Sequence, residues 1–342
     1  MNKEKEIIST ISRFLPRSSN QLNDLFESDS EILQFGGKNM LFTVDEYSSE
    51  DQFRDSDPYT LGWNLTVATI SDILASGGTP RYYAHSMNIP VNKWNNKYLS
   101  HFSKGIADVL STIQAGFIGG DVGTADKWHY TGVAIGESKT PVTRRGAKPG
   151  DLILMTGQIG IGNLEAALNL YSRKPVLKAI LKGYKTKLAV RFDESRLIRE
   201  FATSCIDSSD GVLNALNTLS DINNTGFEIT QTPYFPGGLA VCKLLSKPKE
   251  LLLAGECGEY ELVFTINEKD LPLFCQSDDY RHLSFTPVGR ITRQTERLLI
   301  TAEKTIDFTD FDIRSRSYEN ISLYIEDLTK YLVNHEKFCH YI

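Results

Sequence analysis

A chain of 342 residues with 41% hydrophobic content is long enough for two domains, each with its own core. Its net charge of −6 argues against a nucleic-acid binder, and no apolar run nears the roughly 18 residues that a membrane helix needs. Five scattered cysteines (Cys205, Cys242, Cys257, Cys275, Cys339) with no Cys-x-x-Cys pair predict reduced thiols, a cytoplasmic protein and no zinc site.

Residues 1–26 read as helical, with Ile7, Ile8, Ile11 and Phe14 on one face and Pro16 ending the first piece. Met1 to Phe14 is charged and amphipathic, unlike a secretory leader. Glu27 to Leu33 is an acidic stretch running into a short apolar one, where Asp29 either faces a metal or sits in a solvated turn. Met40 to Glu46 is a strand that delivers Asp45 at its end. Pro58 opens a helix that stops at Gly77-Gly78. On it Leu61, Leu65, Ala68 and Asp72 share a face, and an acid on an apolar stripe is costly unless paired or metal-bound. Arg81 to Ile89 is a strand expected beside the first one, and Asn95 to Ala115 a second amphipathic helix. Phe117 to Thr124 is a strand breaking into Gly119-Gly120-Asp121, bare backbone with one carboxylate, suited to a metal-bound phosphate or simply to a turn. Trp128 to Glu137 is a further strand, and a boundary falls near Lys148-Pro149-Gly150.

The second half opens with the strand Asp151 to Thr156 and the turn Gly157 to Gly162, which lacks the Gly-Lys-Ser/Thr of a P-loop and reads as packing more than phosphate binding. Lys174 to Phe201 reads as a helical surface pair. Cys205 to Leu213 passes from strand to helix through Asp207-Ser208-Ser209-Asp210-Gly211. Ser209 or Asp210 capping that helix would account for one acid and not for two. Strands follow at Gly226 to Gln231, Phe285 to Ile291 and Leu298 to Thr301, with a helix at Pro236 to Leu245 and a Gly- and Glu-rich turn before Leu262. Tyr318 to Ile342 reads as one amphipathic helix.

Collected, Asp29, Asp45, Asp72, Asp121, Asp207 and Asp210 stand at strand ends or on an apolar helical face. Oxygen ligands without histidine spacing point to Mg²⁺, and Mg²⁺ with Gly-rich turns and Arg144 points to a nucleoside triphosphate.

Several motifs in order then resemble the aminoimidazole ribonucleotide synthetase-like (AIR synthase-related) ATP enzymes, and among them the thiamine-monophosphate kinases. They are Thr43-Val44-Asp45, Leu61-Gly62-Trp63 with Ile70-Ser71-Asp72-Ile73, Gly78-Thr79-Pro80, Gly119-Gly120-Asp121, Arg144-Arg145-Gly146-Ala147, Thr156-Gly157, Asp207 to Gly211, and Glu259-Tyr260-Glu261-Leu262. The resemblance implies an α+β N-terminal domain (1–148) that forms a β-barrel across a homodimer. It also implies an α/β C-terminal domain (149–315), followed here by a helical tail (316–342). It implies Mg²⁺ on Asp29, Asp45, Asp72, Asp121, Asp207 and Asp210, and ATP against Gly119, Gly120, Asp121, Arg144 and Ser209. Asp121 and Asp210 are the expected catalytic pair. The implied reaction takes thiamine monophosphate and ATP to thiamine diphosphate and ADP. Gln52, Phe53 and Glu259 stand at the acceptor positions. Ser28 replaces one family acid, and Gln52 replaces a family histidine, so the metal and ATP side matches better than the acceptor side. Two further readings are another ATP-using ligase or group-activating enzyme of the superfamily, and a non-catalytic nucleotide-binding relative.

Overall fold

A computed structural model describes residues 3–170, 186–277 and 279–338. Helix α1 (Lys3–Ser12) is followed by an irregular segment to residue 30, where the sequence predicts helix. Glu31–Phe35 (β1) pairs antiparallel with Lys38–Ser48 (β2). In β2 the odd positions Leu41, Thr43 and Tyr47 are buried while Val44 and Glu46 are exposed, the alternation of a sheet with one covered face. Helix α2 (Pro58–Ala75) starts with proline in its first turn and is buried along most of its length. Strand β3 (Thr79–Ile89), helix α3 (Asn96–Thr112) and strands β4 (Gly116–Thr124) and β5 (His129–Ser138) complete the first half. Sheet order is β1-β2-β5-β3-β4. The strand Arg81 to Ile89 therefore does not pair with the first strands as expected; β5 lies between β2 and β3.

The second half runs β6 (Leu152–Thr156), α4 (Ile161–Leu170), α5 (Phe192–Phe201), β7 (Ala202–Asp207) and α6 (Val212–Asn223). It continues through β8 (Gly226–Ile229), α7 (Pro236–Leu244), α8 (Leu251–Ala254), β9 (Leu262–Ile266) and α9 (Leu271–Gln276). It ends with β10 (Phe285–Thr292), β11 (Arg297–Ile300), β12 (Lys304–Asp307), α10 (Ile321–Asn334) and β13 (Glu336–Phe338). These strands form one eight-stranded sheet, β13-β12-β11-β8-β10-β6-β9-β7, antiparallel except where β8 and β11 run parallel. Both sheets are open. Of the expected surface pair from Lys174 to Phe201, residues 174–185 lie outside the described residues and α5 accounts for the end. The tail is not helix alone: α10 buries Tyr324, Leu328 and Leu332, and β13 then joins the sheet beside β12.

Helix α2 is the spine between the halves. Its Thr69 sits where a side chain on Gly132 of β5 would go, so it rides on the first sheet. Its other side meets the second half: Ser195 Oγ donates to Leu74 O (2.6 Å), Asn64 Nδ2 to Thr186 O (2.8 Å) and Trp63 Nε1 to Leu188 O (2.8 Å). One apolar core runs from Leu41 and Leu65 to Leu262 and Phe264. A helix covered on both sides explains an apolar sequence with little segregation of polar residues, and it carries Asp72 to the seam.

Candidate active site

Five of the six suspected acids converge on one cleft of about 680 Å³, where the two halves meet. Strand alternation turns Asp45 to the α2 side of β2. Asp72 comes from the last turn of α2 and Asp207 from the end of β7. Asp29 comes from the loop before β1, and Asp210 from the turn before α6. Carboxylate oxygens of Asp29, Asp72 and Asp207 lie within 4.8 Å of one another.

Their orientation is held by hydrogen bonds. Thr43 Oγ1 donates to Asp72 Oδ2 (2.5 Å), and Ser71 Oγ donates to Asp207 Oδ2. Arg144 donates to Asp29 Oδ1 from Nε (3.1 Å) and Nη2 (2.5 Å), a charge-assisted fork. The other oxygen, Asp29 Oδ2, is buried with no partner. A buried, unpaired carboxylate oxygen is costly and points to a cation that supplies the missing contact. The loop carrying Asp29 is pinned to α2 by hydroxyls: Ser28 and Ser30 both bond Ser76 Oγ (3.0 and 2.7 Å). Ser28, at the position where the family has a second acid, is thus buried in a structural contact.

Burial pushes the Asp29 carboxyl up to about 6, with Arg144 pulling it back and Asp207 pushing further. Burial, and then Asp207, raise Asp45 to about 7. Asp72 is held well above the usual carboxylate range by burial and then by Asp45 and Asp207. Acids packed this closely repel as they ionise, and hard divalent cations with oxygen ligands relieve that repulsion. The donor set, all oxygen and no sulfur or imidazole, fits Mg²⁺.

The turn before α6 departs from the capping expectation. Gly211 (φ 86°) is the N-cap, and neither Ser209 nor Asp210 caps with its side chain. Gly211 is needed because a Cβ would strike the Gly255 carbonyl. Ser208 N donates to the Glu261 carbonyl (2.9 Å), Ser209 Oγ donates to Asp207 Oδ1 (2.8 Å), and Asp210 lines the cleft. Each residue of the motif thus has its own contact. Sequence reasoning missed Thr43 and Ser71. The signal was present: Thr43 is two residues from Asp45 and shares its face, and Ser71 adjoins Asp72.

Gly119, Gly120 and Asp121 do not reach this cleft within one chain. They lie on β4, the sheet's outer strand. Register runs Glu46–Thr131–Ser86–Asp121 across the sheet, whereas Asp45 opposes Gly132. Asp121 therefore points to the opposite face from Asp45 and is exposed. Gly120 has a packing reason of its own, since a Cβ would meet His85 Cδ2 and O at 2.6 Å.

Gln52, Phe53 and Glu259 do not line the cleft either. Gln52 Nε2 donates to Gly258 O (2.7 Å), and Phe53 packs between Tyr47 and Tyr260. Glu259, 4% exposed, accepts from the backbone N–H groups of Gly160, Ile161 and Gly162 (2.8, 2.8 and 2.9 Å). A carboxylate from the chain itself fills the α4 N-terminus, where an external phosphate would otherwise bind.

Residues 27–138 match the family described as AIR synthase related protein, N-terminal domain. Thiamine-monophosphate kinase of Bacillus subtilis is 29% identical over 274 residues, covering 78% of this chain and 82% of that protein. The chain is similar to thiamine-monophosphate kinases and carries an AIR synthase-related match in its first half. Thiamine-monophosphate kinase of Pyrococcus horikoshii is 29% identical over 271 residues (79% of this chain, 84% of that one). Among solved structures, AaThiL complexed with AMPPCP and TMP has a TM-score of 0.71 at 23% identity, covering 86% of this chain and 92% of that one. That likeness is one of fold.

Proposed function

We propose that the chain is an ATP- and Mg²⁺-dependent phosphotransferase that passes the γ-phosphoryl group of ATP to thiamine monophosphate, giving thiamine diphosphate and ADP. The observation that carries this reading is the cluster of Asp29, Asp72 and Asp207 with the unpaired Asp29 Oδ2, set in a cleft between the two halves. Those three residues, with Asp45 and Asp210 beside them, would hold Mg²⁺, which when bound neutralises phosphate charge. The chain's own part is positioning. Arg144 and Ser209 present donors to the nucleotide phosphates, and Thr43 and Ser71 keep Asp72 and Asp207 aimed into the cleft.

The division into residues 1–148, 149–315 and 316–342 belongs to the same reading, as does a homodimer whose paired N-terminal sheets close into a barrel. The face of the first sheet away from α2 leaves Val44 54% and Tyr82 51% exposed, and the outer strand β4 leaves Ile118 58% exposed. β1 pairs with β2 only as far as Phe42, so Thr43 to Ser48 keep a free edge. In such a dimer β4 of a second copy would lie along that edge and bring its Gly119, Gly120 and Asp121 beside the strand that carries Asp45. A cytoplasmic location fits the free thiols of Cys205, Cys242, Cys257 and Cys275. Among the described residues no helix is long and apolar enough to cross a membrane.

The test is turnover. Purified protein with ATP, Mg²⁺ and thiamine monophosphate should form thiamine diphosphate and ADP in equal amounts. Mg²⁺-dependent ATP binding without that product would discard the acceptor assignment.

A further inference from the structure

Beside the acids, the same cleft is lined by four cations: Lys5 of α1, Arg144 after β5, Arg297 of β11, which already donates to Asn217 and Asp221, and Arg314 after β12. Lys5 and Arg144 share a wall. Lys5 Nζ lies 6.0 Å from the centre of the Phe26 ring, and Arg144 Nη1 donates to the Phe26 carbonyl (3.3 Å). Arg314 lines the same cleft. Its Nη1 donates to Asn214 Oδ1 (2.7 Å), and Asn214 Nδ2 in turn reaches Asp210 Oδ2 (3.4 Å). Arg144 is thus tied to Asp29 and Arg314, through Asn214, to Asp210, so cations flank the acid cluster. Lys5 feels two of these arginines: it is held below its usual range by burial and then by Arg144 and Arg314, with Asp221 and Asp210 opposing.

Carboxylates of Asp29, Glu256 and Asp312 balance Arg144 and Arg314 in part, and a bound anion would add to that balance and meet Lys5. A phosphate monoester suits the space because it carries nearly two charges and offers three acceptor oxygens to separate donors. Arg314 also ties the cleft to the turn that Gln52, one of the expected acceptor positions, holds. It donates to Glu256 Oε1 (3.2 Å), and Ser315 N donates to Glu256 Oε2 (2.6 Å). Glu256 opens the same turn, through Gly258, that Gln52 holds.

We propose that Lys5 and Arg314, next to the nucleotide-facing Arg144, form an anion clamp that grips the phosphate of the acceptor and aims it at the metal-facing acids. The identity of the acceptor rests on the phosphotransferase reading; the clamp itself does not.

The experiment titrates inorganic phosphate into the full-length, metal-free protein by calorimetry, comparing the parent chain with Lys5→Gln, Arg314→Gln and Arg314→Lys. Each Gln variant should bind phosphate about tenfold more weakly, and Arg314→Lys should recover most of that loss. In turnover assays Lys5→Gln should raise KM for thiamine monophosphate with KM for ATP and kcat unchanged. Unaltered phosphate affinity in both Gln variants, with unchanged circular dichroism, would overturn the clamp. A rise in KM for ATP alone would overturn it too. If the parent chain makes no thiamine diphosphate while the Gln variants still lose phosphate, the clamp stands and the acceptor assignment falls.

Discussion

Asp72 shows what burial does to an acid placed beside others. Its carboxyl is held well above the usual range because burial strips it of solvent and Asp45 and Asp207 are near, and the Thr43 hydroxyl only partly offsets this. Such a group is kept for what it binds, not for the stability of the metal-free fold. Replacing Asp72 or Asp210 with Asn should weaken Mg²⁺-ATP binding tenfold or more, about 1.4 kcal/mol, in a calorimetric titration. Unchanged affinity in both variants would remove these side chains from the site. The raised carboxyls also set a pH dependence. Asp29 and Asp45 move from 3.8 when unfolded to about 6 and about 7 when folded, so the folded state holds their protons more tightly. Their contribution to stability is present below 3.8 and is lost as pH rises through about 6 to 7. Bound Mg²⁺ would replace those protons. The rise in melting temperature on adding Mg²⁺ should therefore be larger at pH 8 than at pH 5.5, and an equal rise at both would contradict the shifted values.

At the scale of elements, α4 and the turn Cys257 to Leu262 depend on each other. Glu259 satisfies three N–H groups at the start of α4. Burial pushes its carboxyl up to about 8, while the three donors pull it back. Glu261, two residues on, accepts a fork from Arg191 Nε (2.6 Å) and Nη2 (2.7 Å) and a bond from Thr156 Oγ1 (2.5 Å). Glu259→Ala would leave several donors buried and unpaired and should cost about 3 kcal/mol in urea unfolding. Glu259→Gln, which keeps an acceptor oxygen, should cost less. If the two cost the same, the N–H contacts are not what the side chain is for.

On the scale of the whole molecule, the cleft exists because α2 is sandwiched between two sheets, and each sheet contributes acids to its rim. The barrel dimer adds a testable demand on Asp121. If Asp121 acts on the cleft of a second copy, mixing and refolding two inactive variants, Asp121→Asn and Asp72→Asn, should restore about a quarter of parental activity, since half the dimers are mixed and one of their two sites is whole. No recovery, with mixed dimers demonstrated by mass, would place Asp121 within its own chain's site or outside catalysis.

Much of this was legible in the residues. The β-rich run Met40 to Glu46, proline and glycine around Pro58 to Gly78, and the strand-to-helix break at Asp207 to Gly211 are local signals, and backbone geometry follows from them at short range. The same patterning singled out Asp45, Asp72, Asp207 and Asp210, because an acid at the end of an apolar element demands an explanation. Order of strands was not legible. The insertion of β5 between β2 and β3, and the return of the tail to pair β13 with β12, depend on contacts across more than thirty positions that no local period records. Nor could spacing reveal that Glu259 fills the turn at Gly160, that Asp121 faces away from Asp45, or that Lys5 and Arg314 meet beside Arg144. Sequence alone marked the acids that must be paid attention to; the packing of two halves around α2 decided which side chains share a space, because charge and hydrogen bonding act through distance in the fold and not along the chain.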